Sequence, residues 1–158
     1  MRNDPLCNRR YRPDLLIDAD QRNKVRQSLK ELMRGLVDQY QWEVAQVAHC
    51  KNIELICEHM ETAHKTVLTD GKFLVGRGQK VLNLFLKWQW CLGEIPEPPH
   101  CPLDSIVLWQ VPELRSVRWT TIATIGNYVD AIDALRENIG RSGWRSLAKW
   151  ELEMWNQK

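Results

Sequence analysis

Lys80 and Asp104 are the residues of this chain whose types and settings point most directly to chemistry. Lys80 closes the run Leu74-Val75-Gly76-Arg77-Gly78-Gln79-Lys80, and Asp104 closes Pro102-Leu103-Asp104, directly before Ser105. Glycines one residue apart allow a tight turn that side chains would block, and such a turn can aim backbone N–H groups at a phosphate. An amine and a carboxylate carried beside that grip can act on the sugar of a nucleotide drawn out of a duplex. Each residue also has a plainer reading. An aspartate ahead of a helix is an N-cap worth about 1 kcal/mol, and Lys80, Asn83 and Lys87 fall along one polar stripe that a solvated helix surface would also produce.

The elements that must position these residues are written in the hydrophobic spacing. Residues 1–19 form an irregular arm broken by Pro5 and Pro13, with Leu15, Leu16 and Ile17 pinning it to the core. From Asp20 a helix carries Val25, Leu29, Leu32, Leu36, Val37 and Tyr40 on one face, the recurrence of an amphipathic helix. Val44, Val47 and Ala48 either continue it or follow a short break. Ile53, Ile56, Cys57, Met60, Ala63 and Val67 write a second helix, stopped at Thr69-Asp70-Gly71. The glycine turn and a helix from about Gln79 to Leu92 follow, a hairpin unit over 73–92 ended by Gly93. Residues 94–102 hold four prolines and predict a stiff extended connector. Ser105 to Trp109 form a short helix until Pro112 breaks it, Thr120 or Thr121 starts another short element, Tyr128 to Asn138 is helix up to Gly140, and Gly143 precedes a last helix through Trp155. No repeat or convincing strand set appears, so the expectation is an all-α single domain over 1–158.

Composition bounds the class. At 158 residues the chain can bury one real core. With no long apolar run behind a basic start, neither a signal peptide nor a membrane span is expected, and the protein is expected to be cytoplasmic. The five cysteines, Cys7, Cys50, Cys57, Cys91 and Cys101, are odd in number and far apart, which fits a reducing compartment and small buried hydrophobes. A zinc site from Cys57, His59, His64, His100 and Cys101 lacks any recognised ligand spacing, and neither a metal nor a cofactor is expected. Net charge is only +2, but residues 1–34 hold nine Lys/Arg against five Asp/Glu, and residues 71–92 hold Lys72, Arg77, Lys80 and Lys87 with no acid. That distribution fits a phosphate-facing edge as well as ordinary surface charge. Of eight tryptophans, most should be core; Trp88 and Trp90, nearest the hairpin, are the first candidates to touch a base.

Residues 73–109 resemble the core of the helix-hairpin-helix DNA glycosylases. Leu74, Gly76, Gly78 and Lys80 match that family's glycine hairpin and helix-opening lysine, and Pro102-Leu103-Asp104 match its second motif; Val75 stands where the family has proline. The resemblance implies an enzyme that flips a modified base out of double-stranded DNA and excises it, leaving an abasic site, with the protein acting as a monomer. It assigns Asp104 to stabilise the charge that develops on the sugar as the base departs. It assigns Lys80 either to attack the sugar carbon, with strand nicking to follow, or to stay charged and position phosphate or base. Gly76, Arg77, Gly78, Gln79 and Lys87 would contact DNA. Asn83, Trp88, Trp90, His100 and, from the arm, Asn8 and Tyr11 would reach the base, with Arg9 and Arg10 beside them. The small helical chain also resembles bacterial phage-defence glycosylases acting on glucosylated hydroxymethylcytosine, which implies damaged or phage DNA as partner. A non-catalytic helix-hairpin-helix DNA-binding module and a structural protein using the glycines for a sharp helix–helix turn are the competing readings.

Overall fold

A computed structural model describes residues 19–157. The expected arm contacts of Asn8, Arg9, Arg10 and Tyr11 lie outside the described residues. The helices are α1 (Ala19–Val37), α2 (Gln46–His64), α3 (Val75–Cys91), α4 (Ser105–Leu108), α5 (Ile125–Arg141) and α6 (Leu147–Asn156), with 3-10 turns at Asp38–Tyr40, Thr69–Gly71, Pro112–Leu114 and Trp119–Thr121. Among the described residues there is no extended strand, and the chain is all-α.

α1 buries Val25, Leu29, Met33 and Leu36, and Tyr40 continues the same face from the turn that ends it. Steps of three and four residues keep these side chains on one stripe. Leu32, expected there, is only partly buried, because Met33 holds the position in phase with Leu29 and Leu36. α2 begins at Gln46, seven residues before the apolar pattern announces it at Ile53, and its first two turns bury His49, Cys50 and Asn52. A helix whose inward face is partly polar gives a weak hydrophobic signal, which is why its start was open in the sequence. α3 is central, packing against α1, α2, α5 and the Trp119–Thr121 turn, while α5 packs on α6.

α3 also begins earlier than expected, at Val75, so Gly76 and Gly78 lie inside its first turn and not in the loop before it. Both are required by close approach. A Cβ on Gly76 would stand 1.7 Å from the Trp119 carbonyl oxygen, and one on Gly78 would stand 2.7 Å from Cys57 Sγ and 3.3 Å from the Ile53 carbonyl. The proline-rich connector differs from a surface loop: Ile95, Pro98, His100, Cys101, Pro102 and Leu103 are all buried, so it threads the interior on its way to α4.

Candidate active site between α3, the connector and α1

A buried connector needs partners for its backbone polar groups, because orphaned ones are costly. Gln79 supplies them. Its Nε2 donates to the Leu103 carbonyl at 2.8 Å and to the Gly76 carbonyl at 3.0 Å, and its Oε1 accepts the Leu103 N–H at 3.0 Å. The connector is thereby fastened to α3 at the residue before Asp104. Asp104 then caps α4 as the sequence predicts, its Oδ1 accepting from the N–H groups of Ile106 and Val107, each at 3.0 Å. Its Oδ2 accepts from Lys80 Nζ at 2.7 Å, and the two side chains are 17% and 20% exposed, shielded but open to solvent on one side. The Trp119 ring lies 5.8 Å from the same ammonium. Sequence reasoning placed Trp119 no nearer the site than any other tryptophan; only the turn that wedges against Gly76 brings it there.

Lys80 opens onto a cleft of about 390 Å³ between α1 and α3, lined by Leu29, Lys30, Met33, Arg34, Arg77, Val81, Leu84, Phe85 and Trp88 as well as Lys80. Four of these side chains are cations and none is an acid. Arg77 is half-buried, its Nε has no hydrogen-bond partner, and burial pulls its guanidinium below the usual range. The volume is that of an ordinary small-molecule pocket.

The remaining expected site residues divide. Trp88 is exposed and lines the cleft. Trp90, two positions on, points to another side of α3 and packs on the core, so it is not a cleft residue. Gln79 cannot offer its side chain to DNA, being fully buried and bonded to Gly76, Leu103 and Asn83. Lys87 is likewise engaged, with Glu151 Oε2 at 2.6 Å; Glu151 is buried on α6, so Lys87 neutralises an interior charge. The Gly76 N–H donates to the Ile122 carbonyl at 2.9 Å and the Gly78 N–H to the Leu74 carbonyl at 3.1 Å, so neither amide is directed at a phosphate. Arg77 alone of the five expected DNA contacts has its side chain in the cleft.

Asn83 and His100 belong to a buried network in place of the cleft. Asn83 Nδ2 donates to Tyr128 Oη at 3.0 Å, and Tyr128 Oη lies 2.7 Å from His100 Nδ1. The hydroxyl, already an acceptor, donates its proton to that nitrogen, which makes His100 the Nε2–H tautomer. Tyr40 and Asn52 treat His49 the same way, with Tyr40 Oη 2.9 Å from His49 Nδ1, and the two imidazoles stand edge to face at 4.7 Å. Burial lowers His49 to about 4 and His100 to about 2, the second helped by its neighbour His49. Both folded-state values lie below the unfolded value near 6.5, so between pH 6.5 and pH 4 the unfolded chain binds more protons. Stability is therefore full above pH 6.5 and falls as pH drops. Urea denaturation at pH 7 and pH 5 is expected to differ by about 3 kcal/mol, and equal midpoints would contradict neutral, buried imidazoles.

Cys50, Cys57 and Cys101 are buried free thiols, and burial pushes Cys57 up to about 12, as expected of small apolar packing groups, whereas Cys91 is exposed and departs from that expectation. Among the described residues no cluster of three His, Cys, Asp or Glu side chains is placed to hold a metal ion. No described helix is long and apolar enough to cross a membrane. No protein-family model, curated protein or solved structure matches the chain.

Proposed function

We propose that this protein is a DNA N-glycosylase: it takes a modified base out of duplex DNA and hydrolyses the bond joining that base to deoxyribose, leaving an abasic site. The observation that carries this reading is the Lys80–Asp104 pair, joined at 2.7 Å, with Lys80 on the wall of a cleft that holds four cations and no acid among its described lining residues. As the C1′–N bond breaks, its electron pair leaves with the base and positive charge grows on the sugar. A carboxylate held by two backbone N–H groups and an ammonium is already oriented and needs no rearrangement to face that charge. Water adds at C1′ and gives up its proton, while the departing base takes one up. α2, the loop 65–74 and α3 are the helix-hairpin-helix in this reading. The backbone amides at its glycines are engaged inside the protein, so the cations Lys30, Arg34 and Arg77 hold the phosphates.

A second reading, a DNA-binding module without activity, is favoured by one observation: both oxygens of Asp104 already have partners, an N-cap role on one and an ion pair on the other. Incubation with duplexes bearing different modified bases, followed by mass spectrometry of the supernatant, separates the two. The expected result is a free base and an abasic strand from at least one duplex; salt-sensitive binding with no base released from any would leave the binding module. Because the Lys80 amine is engaged by Asp104, the mechanism is assigned as hydrolytic. Borohydride added during turnover is expected to trap no protein–DNA adduct, and a trapped adduct lost in Lys80→Met would instead make Lys80 the nucleophile.

A further inference from the structure

We propose that the cleft between α1 and α3 receives the extruded base, and that the base it takes is uncharged and carries no appended sugar; the proposal rests on the glycosylase reading above.

α3 is apolar on two sides. Val75, Leu82 and Leu86 are buried in the core together with Gln79 and Asn83, and a second apolar stripe, Val81, Leu84, Phe85 and Trp88 at spacings i, i+3, i+4 and i+7, lines the cleft, with Val81 and Phe85 also resting on the core. Trp88 is 64% exposed on that stripe. Flat aromatic and aliphatic walls suit the face of a base, which stacks without regard to sequence.

The polar groups at the cleft come from Lys30, Arg34, Arg77 and Lys80, and lysine and arginine donate hydrogen bonds but accept none. Arg77 Nε is a buried donor without a protein partner, and a phosphate or base carbonyl oxygen answers it. A glucosyl group brings several hydroxyl protons that need acceptors, and the described side chains of the walls have none to give. A base carrying a formal positive charge, such as a ring-alkylated purine, meets four like charges. A deaminated base, which displays a carbonyl where an amino group stood, suits donor-only walls.

The test uses four duplexes identical except for one nucleotide: uracil, hypoxanthine, 7-methylguanine or glucosylated 5-hydroxymethylcytosine. Single-turnover base release is measured for the wild-type protein, for Leu84→Trp, which fills the cleft, and for Lys30→Glu/Arg34→Glu, which reverses charge at exposed positions and spares the core. Release from the uracil or hypoxanthine duplex is expected to exceed that from the other two by about a hundredfold, and both variants are expected to slow it about tenfold or more. Release of the glucosylated or methylated base at an equal or greater rate would overturn the proposal and leave the glycosylase reading standing. Variants that release base at the wild-type rate would also overturn the cleft assignment alone. Release from none of the four would overturn the proposal, and the glycosylase reading falls with it only when the wider set of modified duplexes also yields no free base.

Discussion

Asp104→Asn is expected, on the glycosylase proposal, to slow base release by about a thousandfold, the cost of removing a charge aimed at a developing cation. Asparagine keeps the shape and the cap, since its side-chain oxygen can still accept from Ile106 and Val107, and asparagine caps helices as well as aspartate does. What changes is the other end of the group. Where Oδ2 now accepts from Lys80 at 2.7 Å, an amide NH₂ would face an ammonium, two donors with nothing between them. Because the pair is partly solvated, the loss of stability is expected to stay near 1 kcal/mol, so the variant remains folded. On the same proposal, DNA affinity rests on phosphate contacts that do not involve Asp104 and is expected to hold within about twofold. Single-turnover release and equilibrium binding, measured at one salt concentration, check both halves. A variant that excises like the wild type would reduce Asp104 to a helix cap and end the enzymatic reading.

The largest expected effect on stability belongs to Gly76→Ala. A methyl group there would sit 1.7 Å from the carbonyl oxygen of Trp119, which is backbone and cannot rotate away. Either α3 retreats or the segment 119–122 moves, and both break the Gly76 N–H to Ile122 carbonyl bond and carry Trp119 away from Lys80. Overpacking against a fixed backbone, with a lost hydrogen bond, is expected to cost about 4 kcal/mol or to prevent folding. Gly78→Ala is the comparison. Its nearest neighbour is the Cys57 sulfur at 2.7 Å, a side-chain atom that can shift, so a cost of about 1 to 2 kcal/mol is expected. Thermal and urea denaturation of the two variants gives the contrast; equal losses would mean that the approach of segment 119–122 to α3 does not constrain position 76.

Local signals made the helix map legible. The stop at Gly93 and the cap at Asp104 depend on residues within a turn of one another, whereas α2 ends at His64, short of Thr69-Asp70-Gly71, and α5 runs through Gly140 to Arg141. The approach of Lys80 to Asp104 was also legible, through a resemblance that put a lysine and an acid at two helix starts. The facing of α3 was not. A stripe of Lys80, Asn83 and Lys87 reads as a wet surface unless its partners are known, and these are Asp104, Tyr128 and Glu151, which lie 24, 45 and 64 positions away. Hydrophobic periodicity records which residues share a side of a helix, not whether that side meets water. The glycines were misplaced for a related reason: a missing side chain marks crowding as readily as it marks a turn, and the crowding at Gly76 comes from Trp119. The α1 wall of the cleft, with Lys30 and Arg34, carried no signal beyond surplus positive charge.

The interior course of the connector bears on how such a molecule could be altered by descent. Between Pro98 and Leu103 the polypeptide is enclosed and held through Gln79, so an extra residue there would displace the acid at Asp104 along with the packing around it. Among the described residues, lengthening has room where the chain runs outside, as at residues 41–45 and 142–145. Novelty in this architecture would accumulate at its rims, while the length of backbone that carries Asp104 stays fixed.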